Sequence, residues 1–205
     1  MNNWKTRQVA LLISFTLLIS CQRNYIPKPH AYYRIDFPEK EYRMYDSICP
    51  FSFEYPLYGT ITPGIQRTPE PCCFNIHFPR YKGTIYLTYK EIDRDFNVFI
   101  EDNWKYIFTI AQRADAVDER KYENPDENVY GMIYDQTGSA ASQVQFYVTD
   151  SVKNFLRGSL YFYTSKPNYD SLAPVIAFFR EDIMVMMESF RWKEKEKSKS
   201  KKSWD

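Results

Sequence analysis

The stretch Gln143-Val144-Gln145-Phe146-Tyr147-Val148-Thr149 decides the class of fold. Val144, Phe146 and Val148 point one way, and Gln143, Gln145 and Tyr147 point the other. That is the two-residue period of a strand with two unlike faces. A second run, Phe155 to Tyr163, follows the turn-forming residues Asp150 to Asn154, so the two runs read as antiparallel neighbours. Working outward, strands are predicted at Phe51–Tyr55, Tyr58–Thr62, Asn75–Phe78, Thr84–Tyr89 and Val129–Tyr134, with Pro56, Pro63-Gly64 and Gly138 as breaks. The pair flanking Pro79 to Gly83 reads as a hairpin.

The period then changes twice. Ile100, Trp104, Ile107, Phe108, Ala111 and Ala114 recur at three and four, which predicts an amphipathic helix from Asn97 to about Ala116. Asp95 or Asn97 suits its cap, and Glu101 and Asp102 suit its positive end. Asp118 to Asn128 is charged, contains Pro125 and reads as a loop. Ile176, Phe179, Ile183, Met186 and Phe190 form the buried stripe of a second helix, Pro174 to Phe190, with Ser171 as its cap. Neighbours such as Glu181-Asp182 point different ways on a helix and read as a solvated face. The sum is an α+β fold, one mainly antiparallel sheet with two helices covering a face.

Composition agrees. The chain has 205 residues, 44% of them hydrophobic, including 18 Tyr and 15 Phe; aromatics of that abundance favour strands. Net charge is +1, which gives no argument for nucleic acid as a partner. Residues 193–205 hold six Lys against two Glu and one Asp and read as a disordered tail. It could touch anionic headgroups or an acidic partner.

The first twenty residues read as an address. Lys5 and Arg7 precede an apolar run, Val9 to Ile19, too short to span a bilayer comfortably. Leu18-Ile19-Ser20-Cys21 resembles the lipobox of bacterial lipoproteins. That resemblance implies diacylglycerol on the Cys21 thiol, cleavage before it and acylation of the new amine; the alternative is an uncleaved anchor. Gln22 in place of Asp favours the outer membrane, facing the periplasm. Residues 21–31 form a tether and residues 32–192 a single domain. Of 27 basic residues, Lys5 and Arg7 fall in the leader, leaving 25 against 26 acidic.

Three cysteines remain, Cys49, Cys72 and Cys73. Export permits disulfides. Cys49–Cys72 would clamp the strand at Phe51 to that at Asn75 and, by loop entropy, contribute roughly 3 kcal/mol. Cys49–Cys73 and three thiols are the rivals.

Catalytic patterns are missing. Ser139 sits in Gly138-Ser139-Ala140-Ala141, not GxSxG, and neither phosphate-cradling glycine motif occurs. His30 lies in the tether, and His77 reads as a sheet-face residue. With two His and no CxxC, a metal site is unsupported. No cofactor is expected beyond the covalent lipid. Arg157, between apolar residues on a strand, needs a partner, expected to be Asp150 or Asp170 in a structural ion pair.

Strand and helix order loosely resembles the small α+β sheets of the Mog1 and PsbP-like group, whose last helix ends near a pair like Ser189-Phe190. Three blocks resemble the gliding-motility lipoprotein D family of the Bacteroidetes: Pro27-Lys28-Pro29 through Tyr33-Arg34-Ile35; Cys72 to Lys90 with Lys82-Gly83-Thr84-Ile85; and Gly138 to Pro174 with Thr149-Asp150-Ser151, Phe155-Leu156-Arg157-Gly158 and Asp170-Ser171-Leu172-Ala173-Pro174. Cys73 departs from that pattern, where Trp is expected. The resemblance implies a non-catalytic envelope lipoprotein needed for gliding and the linked type IX secretion machinery, with other envelope proteins as partners. It implies no active-site residues. The alternative function is a periplasmic binding module for a glycan or lipid. An enzyme is the third, and a deep pocket around Arg157 with convergent carboxylates would favour it. Replacing Cys21 with Ala should abolish incorporation of labelled palmitate and release the protein from the membrane fraction; equal labelling and retention would contradict the lipid anchor.

Overall fold

The computed structural model describes residue 4 and residues 35–64, 72–93, 95–164 and 169–193. The chain divides into two compact units, Met1–Ile35 and Asp36–Asp205. The strands and long helices of the described residues belong to the second. The leader apart from residue 4, Cys21, the tether and residues 194–205 lie outside the described residues.

Among the described residues ten strands and two α-helices run in the order β1 (Tyr42–Asp46), β2 (Phe51–Pro56), β3 (Thr60–Pro63), β4 (Phe74–Phe78), β5 (Gly83–Glu91), α1 (Phe96–Ile110), β6 (Ala114–Asn124), β7 (Val129–Gly138), β8 (Val144–Thr149), β9 (Asn154–Phe162), α2 (Tyr169–Glu188) and β10 (Arg191–Trp192). Seven of the strands form one sheet, β3-β4-β5-β9-β8-β7-β6, and three form another, β1-β2-β10. Every pairing is antiparallel. The α+β reading therefore holds, with two differences: there are two sheets, and the helices cover opposite faces of the larger one.

Alternation explains the second difference. Ile85 pairs with Leu160 and Leu87 with Gly158, while Val144, Phe146 and Val148 extend the same face onto β8. These residues are buried, and α2 packs on them through Phe179, which meets the rings of Phe78 and Phe162. All five residues of the predicted α2 stripe are buried. The odd positions of β9 carry the other face, where Phe99 of α1 meets Phe155 and Phe108 meets Tyr134.

Charge concealed one strand. Ala114–Asn124 was expected to finish a helix and open a loop, but it pairs along β7 from Gly138 to Val129. It is the sheet edge and mostly exposed. Asp118, Glu119, Arg120 and Lys121 sit there because an edge needs charge more than apolar surface. Helix α1 accordingly stops at Ile110, with Asp95 as its cap: the Asp95 carboxylate accepts from Asn97 N at 2.9 Å and Val98 N at 3.3 Å. At α2, Ser171 is not the cap. The helix starts at Tyr169 and Pro174 lies inside it, near enough to the start to sacrifice a single backbone bond.

The small sheet docks through aromatics. Phe51 and Phe53 of β2 are fully buried against Phe74 and Phe190. Cys49, before β2, is joined to Cys72, before β4, with Cα atoms 5.5 Å apart. Ser189 Oγ donates to Val185 O and accepts from Glu54 N, which ties the end of α2 to β2. Lys193 was expected to begin the tail, yet its N–H bonds Pro50 O at 2.9 Å and its ammonium pairs with Asp46.

Asp182 overturns the solvated reading of Glu181-Asp182. Its side chain is wholly buried. It accepts from Lys40 Nζ at 2.9 Å, Tyr42 OH at 2.9 Å and Tyr58 OH at 2.5 Å. Lys40 also lies 4.0 Å from the Phe178 ring centroid. The segment before β1 thus covers a second face of α2, which a single helical stripe could not reveal. Burial, and then the Asp182 hydrogen bond, push the Tyr42 and Tyr58 hydroxyls well above their ordinary 10.0. Both bind protons more tightly folded than unfolded, so their stabilisation is complete below pH 10.0 and is lost as pH rises beyond it. Urea unfolding should show stability falling above that pH. Asp182→Ala should cost about 3 kcal/mol by leaving Lys40 and two hydroxyls without their acceptor; a loss within about 0.5 kcal/mol would contradict this arrangement.

Candidate functional site

The face of the large sheet under α1 is polar where the opposite face is apolar. Tyr86, Thr88 and Lys90 project from β5, and Arg157, Ser159 and Tyr161 from β9. Thr88 pairs with Arg157 and Tyr86 with Ser159; one strand further, Tyr147 pairs with Arg157 and Gln145 with Ser159.

Helix α1 roofs this face incompletely. It buries Asn103, Ile107 and Ala111 beneath it, while Trp104 and Tyr106 remain 46% and 44% exposed. The predicted stripe is right at Ile107 and Ala111, but Trp104 instead packs at a tilt against Phe108 with ring centroids 4.2 Å apart.

Between roof and sheet runs a groove with two chambers. One, of about 350 Å³, is walled by Phe99, Asp102, Asn103 and Phe155. The other, of about 410 Å³, is walled by Tyr86, Ser159, Tyr161 and Tyr163. Thr88, Tyr106 and Arg157 line both. Tyr86 and Tyr163 bond through their hydroxyls at the second chamber.

Arg157 is central, and not in the expected manner. No ion pair joins it to Asp150 among the described residues. The Asp150 carboxylate is used by its own turn, accepting from the N–H groups of Val152, Lys153 and Asn154 at 2.9, 2.8 and 2.9 Å. Those bonds hold its pKa below the usual carboxylate value although burial opposes them. The side chain of Asp170 lies outside the described residues. The Arg157 guanidinium lies over the Tyr106 ring, 3.9 Å from its centroid. Among the described residues it donates to no carboxylate or carbonyl. Cation–π contact is worth about 0.5–1 kcal/mol at a partly exposed site and leaves the N–H fork available.

Two tyrosines near it, Tyr161 and Tyr147, have hydroxyls raised above their ordinary value. Burial raises Tyr161, helped by Tyr106 and opposed by Arg157; burial also raises Tyr147. Beneath α1 lie unmatched amides. Asn103 is 6% exposed, and neither of its amide atoms has a hydrogen-bond partner. The Gln136 and Gln145 amides, on the same face, are likewise buried and unpartnered. Buried polar groups are ordinarily satisfied, so three together mark this side of the sheet as unusual.

Other candidates take structural places. His77 Nδ1 lies 2.9 Å from Thr84 Oγ1 across a strand pair, and Ser139 is exposed on a bend with no base bonded to it. Among the described residues no group of three His, Cys, Asp or Glu side chains could hold a metal ion. Among the described residues Asp102 is the only carboxylate on the groove walls, and no carboxylate pair there converges on Arg157. Sequence reasoning singled out Arg157 but missed Asn103, Tyr106, Tyr86 and Tyr161. Asn103 was detectable as a polar residue four before Ile107 on the buried stripe, and Tyr86 and Thr88 as the polar phase of β5.

A family model for the gliding motility lipoprotein GldD matches residues 22–192. The chain belongs to the GldD family. The groove, the disulfide and the Asp182 cluster all fall within that match, so they are features of the GldD domain of this chain. No curated protein matches the chain. The solution structure of cyanobacterial PsbP (CyanoP) from Synechocystis sp. PCC 6803 is similar with a TM-score of 0.47 and 11% identity, covering 78% of this chain and 97% of that one. At that level the likeness carries no argument, and the α+β fold rests on the strands and helices themselves. No helix among the described residues is long and apolar enough to cross a membrane.

Proposed function

We propose that this GldD-family lipoprotein is a non-catalytic scaffold for gliding motility and type IX protein secretion. Lipid on Cys21 tethers it to the outer membrane, with its domain facing the periplasm. The family match, which starts one residue after Cys21, carries this reading, because it places the whole α+β domain in a lipoprotein family of motility. Exposed aromatics support a role in protein contact: Tyr106 and Tyr163 at the groove and Trp104 on α1 are 44%, 54% and 46% exposed, and aromatic residues are enriched at interfaces. The partners are the membrane, through the anchor, and other envelope proteins, with no nucleic acid. Among the described residues the groove carboxylate Asp102 has no second carboxylate to pair with for acid–base work, and the lipid is the only attached group the reading requires. In a host that does not glide, secretion or envelope upkeep remains.

Deleting the chain should abolish spreading on agar and reduce export of type IX cargo into the medium, with both restored by the intact copy and not by the Cys21→Ala copy. Normal spreading and export in the deletion strain would remove the reading.

A further inference from the structure

We infer that the groove between α1 and the sheet binds an acidic saccharide, a sugar unit carrying a carboxylate or phosphate. Four observations converge. Two chambers of about 350 and 410 Å³ share one wall of Thr88, Tyr106 and Arg157, and together they reach the size range of small-molecule sites. The Arg157 fork is held by the Tyr106 ring, 3.9 Å away, and has no protein acceptor among the described residues, the state in which a guanidinium grips an anion through two N–H groups. Asn103 is 6% exposed with both amide atoms unpartnered on the wall of the first chamber. A hydroxyl or acetamido group satisfies such an amide; an alkyl chain cannot. Finally, the walls contain no Leu, Ile, Val or Met. They are Tyr and Phe rings among Thr, Ser, Asn, Lys, Asp and Arg side chains; the ring faces suit the apolar faces of a sugar, and the hydroxyls suit its edges. An acyl chain would leave those hydroxyls and Asn103 desolvated without partners.

The anion sits on Arg157, the ring of the sugar lies along Tyr86 and Tyr161, and Asn103 reads a substituent in the inner chamber. This site is independent of the scaffold role: a ligand can bind without secretion depending on it, and the reverse.

The test is calorimetric titration of the full lipoprotein in detergent micelles with four probes: a glucuronate-bearing tetrasaccharide, glucose 6-phosphate, neutral chitotetraose and decanoate. One or both acidic sugars should bind at least tenfold more tightly than chitotetraose, and whichever binds identifies the anion. Arg157→Gln should weaken that binding at least tenfold. Tyr163→Ala, at the exposed rim, should weaken it without touching the core, which keeps the test decisive if Arg157→Gln fails to fold. In ¹⁵N spectra the Asn103 side-chain amide should shift with the bound sugar. Equal binding of chitotetraose, binding of decanoate alone, or no binding of any probe would overturn the inference.

Discussion

The structure depends on the two-residue alternation of β5, β8 and β9. At each step one side chain enters a dry apolar layer and the next enters one that carries the polar groups and tyrosines. On β9 this separates Leu156, Gly158 and Leu160 from Phe155, Arg157 and Ser159. The first set is sealed by α2, whose Phe179, Ile183 and Met186 are buried almost completely. Burying that layer supplies the main drive to fold, at about 25 cal/mol per Å² of apolar surface. The second set is covered by a helix that buries only a thin stripe of itself. A register slip of one residue would exchange the two layers, so the same constraint that fixes the core also fixes the groove.

Two further ties hold the smaller sheet and the preceding segment to this frame. The Cys49–Cys72 link joins the start of β2 to the start of β4, beside Phe51, Phe53 and Phe74. Asp182 receives Lys40, Tyr42 and Tyr58 on the outer side of α2. Such a carboxylate is costly to bury and is tolerable because every approaching group is a donor. Its effect is specificity as much as stability, since only one placement of the segment before β1 brings three donors to one acid.

The alternation at Gln143 to Thr149 and the stripe from Ile176 to Phe190 were legible because strongly amphipathic elements write their burial into their period. The β6 edge was illegible for the converse reason: with one partner and little to bury, its charges looked like a loop. The place of Asp182 depended on a distant segment closing over a helix that already had its apolar stripe, and no local pattern encodes that. Arg157 stood out as a cation among apolar neighbours, but it does not pair with Asp150, because that carboxylate serves the nearer N–H groups of its own turn. The roles of Tyr106 and Asn103 required knowing that α1 lies on the polar face.

These features describe a domain with a rigid, sealed side and an open, aromatic side, a division suited to an anchored GldD-family protein that holds its fold while presenting one face. The most direct test compares neighbours on β9 by urea unfolding. A Cβ placed on Gly158 runs into the Phe146 ring, so Gly158→Ala should lose about 2 kcal/mol, whereas Arg157→Ala, facing the groove, should lose less than about 1 kcal/mol. Equal losses, or a tolerated Gly158→Ala beside a damaging Arg157→Ala, would contradict the two-faced sheet.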